Sequence, residues 1–212
     1  MKLNPHMQIL HLSDTHNQHR QLGNLPAADV IIHSGDITFA GTGDEVFDFI
    51  DWFGSLNYPY RIFIAGNHDY ALEGKAPERI QRFLPENCFY LCNSGVTINQ
   101  VRFWGIPFFF SPDESNQNTN TIDLIGNDVD VLITHRPPYG ILDQSGNTRF
   151  GCPDLLQAIK RLRPAYHLFG HIHDAYGIEK HKETTFSNAA VVDTNYRLVN
   201  DPILLNFFRS DV

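Results

Sequence analysis

The sequence is short of cysteine, methionine, tryptophan and positive charge. Its 212 residues include 3 Cys, 2 Met and 2 Trp. Cys88, Cys92 and Cys152 are odd in number and form no C-x-x-C pair, which excludes a disulfide framework without a leftover thiol and gives no zinc-ribbon spacing. They read as small buried hydrophobes. Lys and Arg together number 16 against 24 Asp and Glu, a net charge of −8. A general nucleic-acid surface, which needs a basic face to neutralise phosphates, is therefore not expected. A small phosphate substrate stays open, because bound metal ions can bring the missing positive charge. No run approaches the ~18 to 20 apolar residues of a membrane span. Residues 1–11 carry one Lys and no apolar stretch of signal-peptide length. The chain is expected to be soluble and cytoplasmic, with no membrane partner. It shows no repeat, no low-complexity tract and no linker, so one domain over 1–212 is expected.

What is present is enough apolar material for a sizeable core: 42% of residues, with 12% aromatic. Short runs at 9–13, 30–33, 61–65, 129–134 and 166–169 are nearly continuous in Ile, Val, Leu and Phe. That texture belongs to strands covered on both faces. Residues 44–56 place Val46, Phe47, Phe49, Ile50 and Phe53 at helical spacing, with Asp44 as an early-turn acid. Residues 152–163 repeat the pattern with Leu155, Leu156, Ile159 and Leu162, and Pro164 ends it. Strands 96–98 and 101–104, joined by Asn99-Gln100, read as a two-residue hairpin, and further strands are expected at 184–188 and 203–207. Pro112 to Thr121 is polar enough for a surface loop. Alternating strands and helices followed by late strands give an α/β fold with a mixed sheet or two packed sheets.

The chemistry sits where each apolar strand stops. The five runs lead into Asp14-Thr15-His16, Gly35-Asp36, Gly66-Asn67-His68-Asp69, His135, and Gly170-His171-Ile172-His173. Open α/β sheets carry their sites at such strand ends. Oxygen donors (Asp14, Asp36, Asn67) mixed with imidazoles (His16, His135, His171, His173) suit divalent Mn, Fe or Zn, and no thiolate joins them. Seven donors are too many for one tetrahedral ion and suit two ions sharing a carboxylate. A metal pair about 3.5 to 4 Å apart activates a bridging hydroxide and clamps the oxygens of an in-line displacement, which serves phosphoester hydrolysis. His68, beside Asn67, is placed to give the leaving oxygen a proton. Asp69 is expected either to orient His68 or to cap the helix that follows.

The ordered set D-x-H, G-D, G-N-H-D, T-H and G-H-x-H resembles that of the calcineurin-like metallophosphoesterases. Thr134-His135-Arg136-Pro137-Pro138 followed by Gly140 and Asp143, Phe169 to His173 with Tyr176-Gly177, and Thr194-Asn195-Tyr196 are similar to the metallophosphoesterase-domain-containing (MPPED) branch. The resemblance implies a four-layer αββα sandwich of two mixed β-sheets flanked by helices. It implies one ion on Asp14, His16, Asp36 and His173, and a second on Asp36 (the bridge), Asn67, His135 and His171. It also implies hydrolysis of small phosphodiesters such as 2′,3′- and 3′,5′-cyclic nucleotides, with Mn²⁺ favoured and Fe, Zn or Mg as alternatives. Some close relatives carry Gly in place of the first His of G-H-x-H and lose activity; His171 is present here, so a working catalyst is expected. Arg136 stands where the branch usually has Gly, and is expected to contact the substrate phosphate, together with Asn67 and His68, or to narrow the pocket.

The other histidines have plainer readings. His11, His33 and His167 lie inside apolar strands as hydrogen-bonded core residues. His6 and His181 read as surface residues, while Asn17 and His19 either face the pocket or lie in a solvated loop. Phe108-Phe109-Phe110 either wall a substrate pocket or end a buried strand. Two rivals remain: a phosphomonoesterase such as a protein phosphatase on the same core, and a non-catalytic scaffold, which would typically have lost ligands that are all retained here.

Overall fold

A computed structural model describes residues 6–109 and 121–208. Phe110 and the 112–120 loop therefore lie outside the described residues. The elements run β1 (His6–Leu12), β2 (Val30–His33), α1 (Gly43–Ser55), β3 (Tyr60–Phe63), α2 (Pro77–Gln81), β4 (Cys88–Tyr90), β5 (Ser94–Ile98), β6 (Val101–Ile106), β7 (Val131–Thr134), β8 (Gln144–Ser145), β9 (Thr148–Arg149), α3 (Pro153–Leu162), β10 (Tyr166–Phe169), β11 (Gly177–His181), β12 (Thr184–Asn188) and β13 (Ile203–Phe208). Strands β13-β1-β2-β3-β4 make one sheet, parallel except for β13. Strands β11-β12-β10-β7-β6-β5 make the other, parallel in its middle and antiparallel at both edges.

Alternation along the strands decides the layering. Ile9 and Ile32 of the first sheet point to a core shared with Phe103, Val131, Ile133 and Leu168 of the second. Their neighbours Leu10 and Ile31 point outward, under Phe49 and Phe53 of α1. On the far side Leu132, Phe169 and Phe186 lie under Leu155, Ile159 and Leu162 of α3. Strands covered on both faces read as continuous apolar runs, and the result is a helix–sheet–sheet–helix sandwich.

Local signals fix the element ends. Helix α1 starts on a capping box, in which Thr42 accepts from the Glu45 amide and Glu45 accepts from the Thr42 amide. Pro153 opens α3, and Arg163 closes it in the left-handed region at φ 49°. Asn99 and Gln100, at φ 48° and 69°, form the tight hairpin loop between β5 and β6, both left-handed as a primed turn requires. Cys88 and Cys152 are buried. Among the described residues no helix is long and apolar enough to cross a membrane.

The three strand histidines are neutral core residues. His11 bridges Ser187 and Ser34 at 2.9 Å each. His33 Nε2 donates to Thr15 Oγ1 at 2.9 Å, because its Nδ1 already accepts from the Gly35 amide. His167 reaches Thr134 Oγ1 at 2.8 Å, joining β10 to β7. Burial pushes each of the three down to about 3.

Candidate metal centre

The C-terminal ends of β1, β2 and β3 meet those of β7 and β10 where the two sheets adjoin. Backbone hydrogen bonds fix these ends: Asp14 N–H donates to Gly35 O at 3.0 Å within the first sheet, Gly170 N–H to His135 O at 3.1 Å within the second, and Ser13 N–H to Ala189 O at 2.9 Å across the seam. Ala189 and Ala190 follow β12 across this junction, and both are fully buried. Asp14, His16, Asp36 and His171 all hold positive φ, at 56°, 42°, 56° and 69°. Each such residue costs about 1 to 3 kcal/mol and persists only where its surroundings over-determine it, a strain that gathers at functional sites. The glycines flanking the motifs leave room for close approach: a Cβ on Gly35 would stand 2.6 Å from His135 Nδ1, and one on Gly66 or Gly170 would overlap the carboxylates of Asp36 or Asp14.

Three sets of donor atoms converge: Asp14, His16 and His173; Asp36, His135 and His171; and His16, Asp36 and His68. Asp36 belongs to two of them. Its Oδ1 accepts the His68 amide at 2.8 Å, which leaves Oδ2 3.6 Å from His16 Nε2 and 3.3 Å from His135 Nε2. Asp14 Oδ1 lies 3.3 Å from His173 Nε2 and accepts, with Oδ2, the His171 amide at 3.1 Å. Asn67 Oδ1 is 3.0 Å from His135 Nε2. The seven predicted ligands thus share one cluster.

The imidazoles are oriented for cations. His16 Nδ1 faces Thr38 O at 3.2 Å, His135 Nδ1 faces Ser34 O at 2.9 Å and His173 Nδ1 faces Asp193 O at 3.1 Å. A carbonyl only accepts, so each Nδ1 carries a hydrogen and Nε2 is the nitrogen turned inward to meet an ion, the usual support of a metal-bound histidine. His16 Nε2 and His173 Nε2 then face one another at 3.3 Å, an arrangement that requires a proton or a cation between them. The charges agree. Burial would raise the carboxyl of Asp36, but His135 beside it holds it down at about 2, and Asp14 is lowered despite its own burial by His173, His135 and His16. Burial opposes protonation of His135, yet Asp36 and Asp14 hold it up at about 9. Two buried ionised carboxylates among imidazoles need positive charge, and divalent ions fit this donor set.

His68 is half-buried, and its Nδ1–H donates to Phe39 O at 3.0 Å. Asp69 does something other than orient it. Its fully buried carboxylate accepts from the amides of Gly66 at 2.7 Å, Thr38 at 2.9 Å and Ile37 at 3.3 Å, and from the Thr38 hydroxyl at 2.7 Å. Nor does its side chain cap the short 3₁₀ turn at Tyr70–Leu72. Asp69 ties the Asn67 loop to the Asp36 loop, and burial beside Asp36 raises its carboxyl to about 6.

A cleft of about 590 Å³ opens over Asp36, Asn67, His68, His171 and His173, with Phe108, Arg136, Phe150 and Tyr196 in its wall. Phe108 lies edge-on to His171 at 5.4 Å, while Phe109 packs into the cluster beneath α1. His19 is neither in the pocket nor solvated: it is buried with Nε2 on Asp48 at 2.9 Å. Asn17, His6 and His181 are exposed. Neither Phe39 nor Phe150 carries a signal that sets it apart in the sequence. Tyr196, edge-on to His16 at 4.8 Å and to His173 at 5.5 Å, was visible only as part of T-N-Y.

Known proteins are similar to this chain in sequence and in fold. Human metallophosphoesterase domain-containing protein 1 is 37% identical over 227 residues, covering 92% of this chain and 69% of its own. A UPF0046 protein of Caenorhabditis elegans is 34% identical over 219 residues, covering 94% and 75%. The crystal structure of TT1561 from Thermus thermophilus superposes with a TM-score of 0.65 at 13% identity, over 96% of this chain and 99% of that one, which is a likeness of fold. The calcineurin-like phosphoesterase family profile matches residues 7–175, from the first strand past the last candidate ligand. The cluster at the seam and the strands from β1 to β10 therefore fall inside the matched region, and the protein belongs to the calcineurin-like phosphoesterases, metal-dependent hydrolases of phosphate esters.

Proposed function

We propose that the protein is a phosphodiesterase for small substrates, cyclic nucleotides among them, working with two divalent ions of which Mn²⁺ is favoured. The observation that carries this reading is the Asp36 carboxylate, whose Oδ2 faces the histidines of both donor sets. Asp14, His16 and His173 would hold one ion, Asn67, His135 and His171 the other, and Asp36 both. When bound, such a pair supplies a water-derived nucleophile near neutral pH and Lewis-acid stabilisation of the charge that develops on phosphorus.

The chain's own residues do the rest. Carbonyls of Thr38, Ser34 and Asp193 fix the histidine tautomers before any ion arrives. Asp69 keeps the Asn67 and Asp36 loops in register. With Nδ1–H held on Phe39 O, the His68 ring presents Nε2, from which its protonated form gives a proton to the leaving oxygen. The cleft of about 590 Å³ has the size of a small-molecule site, and Phe108, Phe150 and Tyr196 give it apolar walls. A soluble, cytoplasmic enzyme of one domain is part of this reading.

Metal-stripped protein given Mn²⁺ tests it, with bis-p-nitrophenyl phosphate compared against p-nitrophenyl phosphate, then 2′,3′- and 3′,5′-cyclic nucleotides. Metal-dependent turnover that favours the diester is expected. A preference for the monoester would make the protein a phosphomonoesterase. Two bound ions without turnover of any of these esters would favour the scaffold.

A further inference from the structure

Arg136 follows the candidate ligand His135 directly and lines the cleft with Asp36, Asn67, His68 and His171. Its guanidinium is pinned twice. Nε donates to Phe150 O at 2.9 Å, and Cζ lies 5.5 Å from the centroid of the Phe108 ring. Arginine has five N–H donors. Among the described residues the four on Nη1 and Nη2 have no hydrogen bond, and no carboxylate pairs with the group. It is also the one Lys or Arg in the described lining of the cleft.

Folding does not account for a cation in this place. An arginine that served only the wall would find a carboxylate or full solvent, and an apolar side chain would cover Phe108 as well. Nor does it serve metal binding, because a positive charge beside His135 and His171 opposes the arrival of divalent ions. The opposition is relieved when an anion sits between guanidinium and metals. A planar fork with two unused nitrogens matches paired phosphate oxygens, and its attraction grows with the charge on the phosphate.

We infer that Arg136 is a specificity-determining residue that reads phosphate dianions: it raises the affinity of the cleft for inorganic phosphate and phosphomonoesters over phosphodiester monoanions. This rests on the phosphoesterase reading of the same cleft. One consequence is that the product of diester cleavage, a monoester with one more negative charge than its substrate, is retained and inhibits.

Calorimetry on the metal-loaded protein tests this without turnover, with inorganic phosphate and dimethyl phosphate as the two probes. Arg136→Met is expected to weaken phosphate binding about 10- to 100-fold, as loss of a charged hydrogen-bonding group implies, and to change dimethyl phosphate binding less than about 3-fold. Arg136→Lys, which keeps the charge without the fork, is expected to lie between. Lys160→Met, on α3 away from the cleft, removes the same charge and is expected to change neither. Equal losses for both probes, unchanged phosphate affinity in Arg136→Met, or a wild-type protein that binds no phosphate would each overturn the inference. Absence of diester turnover in the wild type would defeat the phosphodiesterase proposal alone, since the contrast between the two probes is still read.

Discussion

Asp36→Asn is expected to lower phosphoester turnover by about 10³-fold or more and to leave fewer than two ions on the chain, because it strikes the group on which both halves of the centre depend. Oδ1 is occupied by the His68 amide, so Oδ2 alone faces His16 and His135. An amide cannot serve both: whichever way it turns, either the His68 N–H loses its acceptor or an NH₂ group points at lone pairs meant for metal. The backbone tolerates the change, since Asn accepts the left-handed φ of 56° at this position as readily as Asp. The metal-free variant is nevertheless expected to melt below metal-free wild type, because the carboxylate that His135 holds ionised is gone and its buried imidazolium partner is left without it. Metal analysis by mass spectrometry, thermal melting and bis-p-nitrophenyl phosphate kinetics read the three expectations together. Wild-type turnover with two ions retained would remove Asp36 from its proposed role.

His68→Ala separates proton transfer from metal binding. Turnover is expected to fall about 10²-fold with the metal content unchanged. The alanine keeps the backbone N–H that donates to Asp36 Oδ1, so the Asp36 loop stays in place. The effect is expected to be larger for substrates with poor alkoxide leaving groups than for p-nitrophenyl esters, whose leaving group needs little protonation. His68 also converges with His16 and Asp36. Loss of an ion in the alanine variant would therefore identify it as a ligand, and an equal effect on good and poor leaving groups would remove its acid role.

The candidate ligands were legible in the sequence because their chemistry restricts residue type. Strands covered on both faces must be apolar, so Asp14, Asp36, His135 and His171 stand out at the ends of such runs, each beside a residue with little other reason to be there. Helices α1 and α3 were legible from apolar spacing, the short α2 was not, and the hairpin at Asn99-Gln100 was legible from loop length alone. What stayed hidden depends on residues distant in sequence. Asp69 adjoins His68, and adjacency suggested a direct contact; its carboxylate turns instead to Thr38, 31 residues away. His19 could be placed only once α1 brought Asp48 and Trp52 against it. The carbonyls of Phe39, Thr38 and Asp193 carry no side-chain signature at all, yet they set the orientation of His68, His16 and His173. Strand β11 and the buried crossing at Ala189-Ala190 likewise follow from pairing across the sheets rather than from local pattern.

The most direct test of the central claim is a crystal of the protein soaked in Mn²⁺, with data collected at the manganese edge. The account predicts two anomalous peaks about 3.5 to 4 Å apart, with the Asp36 carboxylate between them, one beside His16 and His173 and the other beside His135 and His171. A single peak, or two that do not share Asp36, would contradict it.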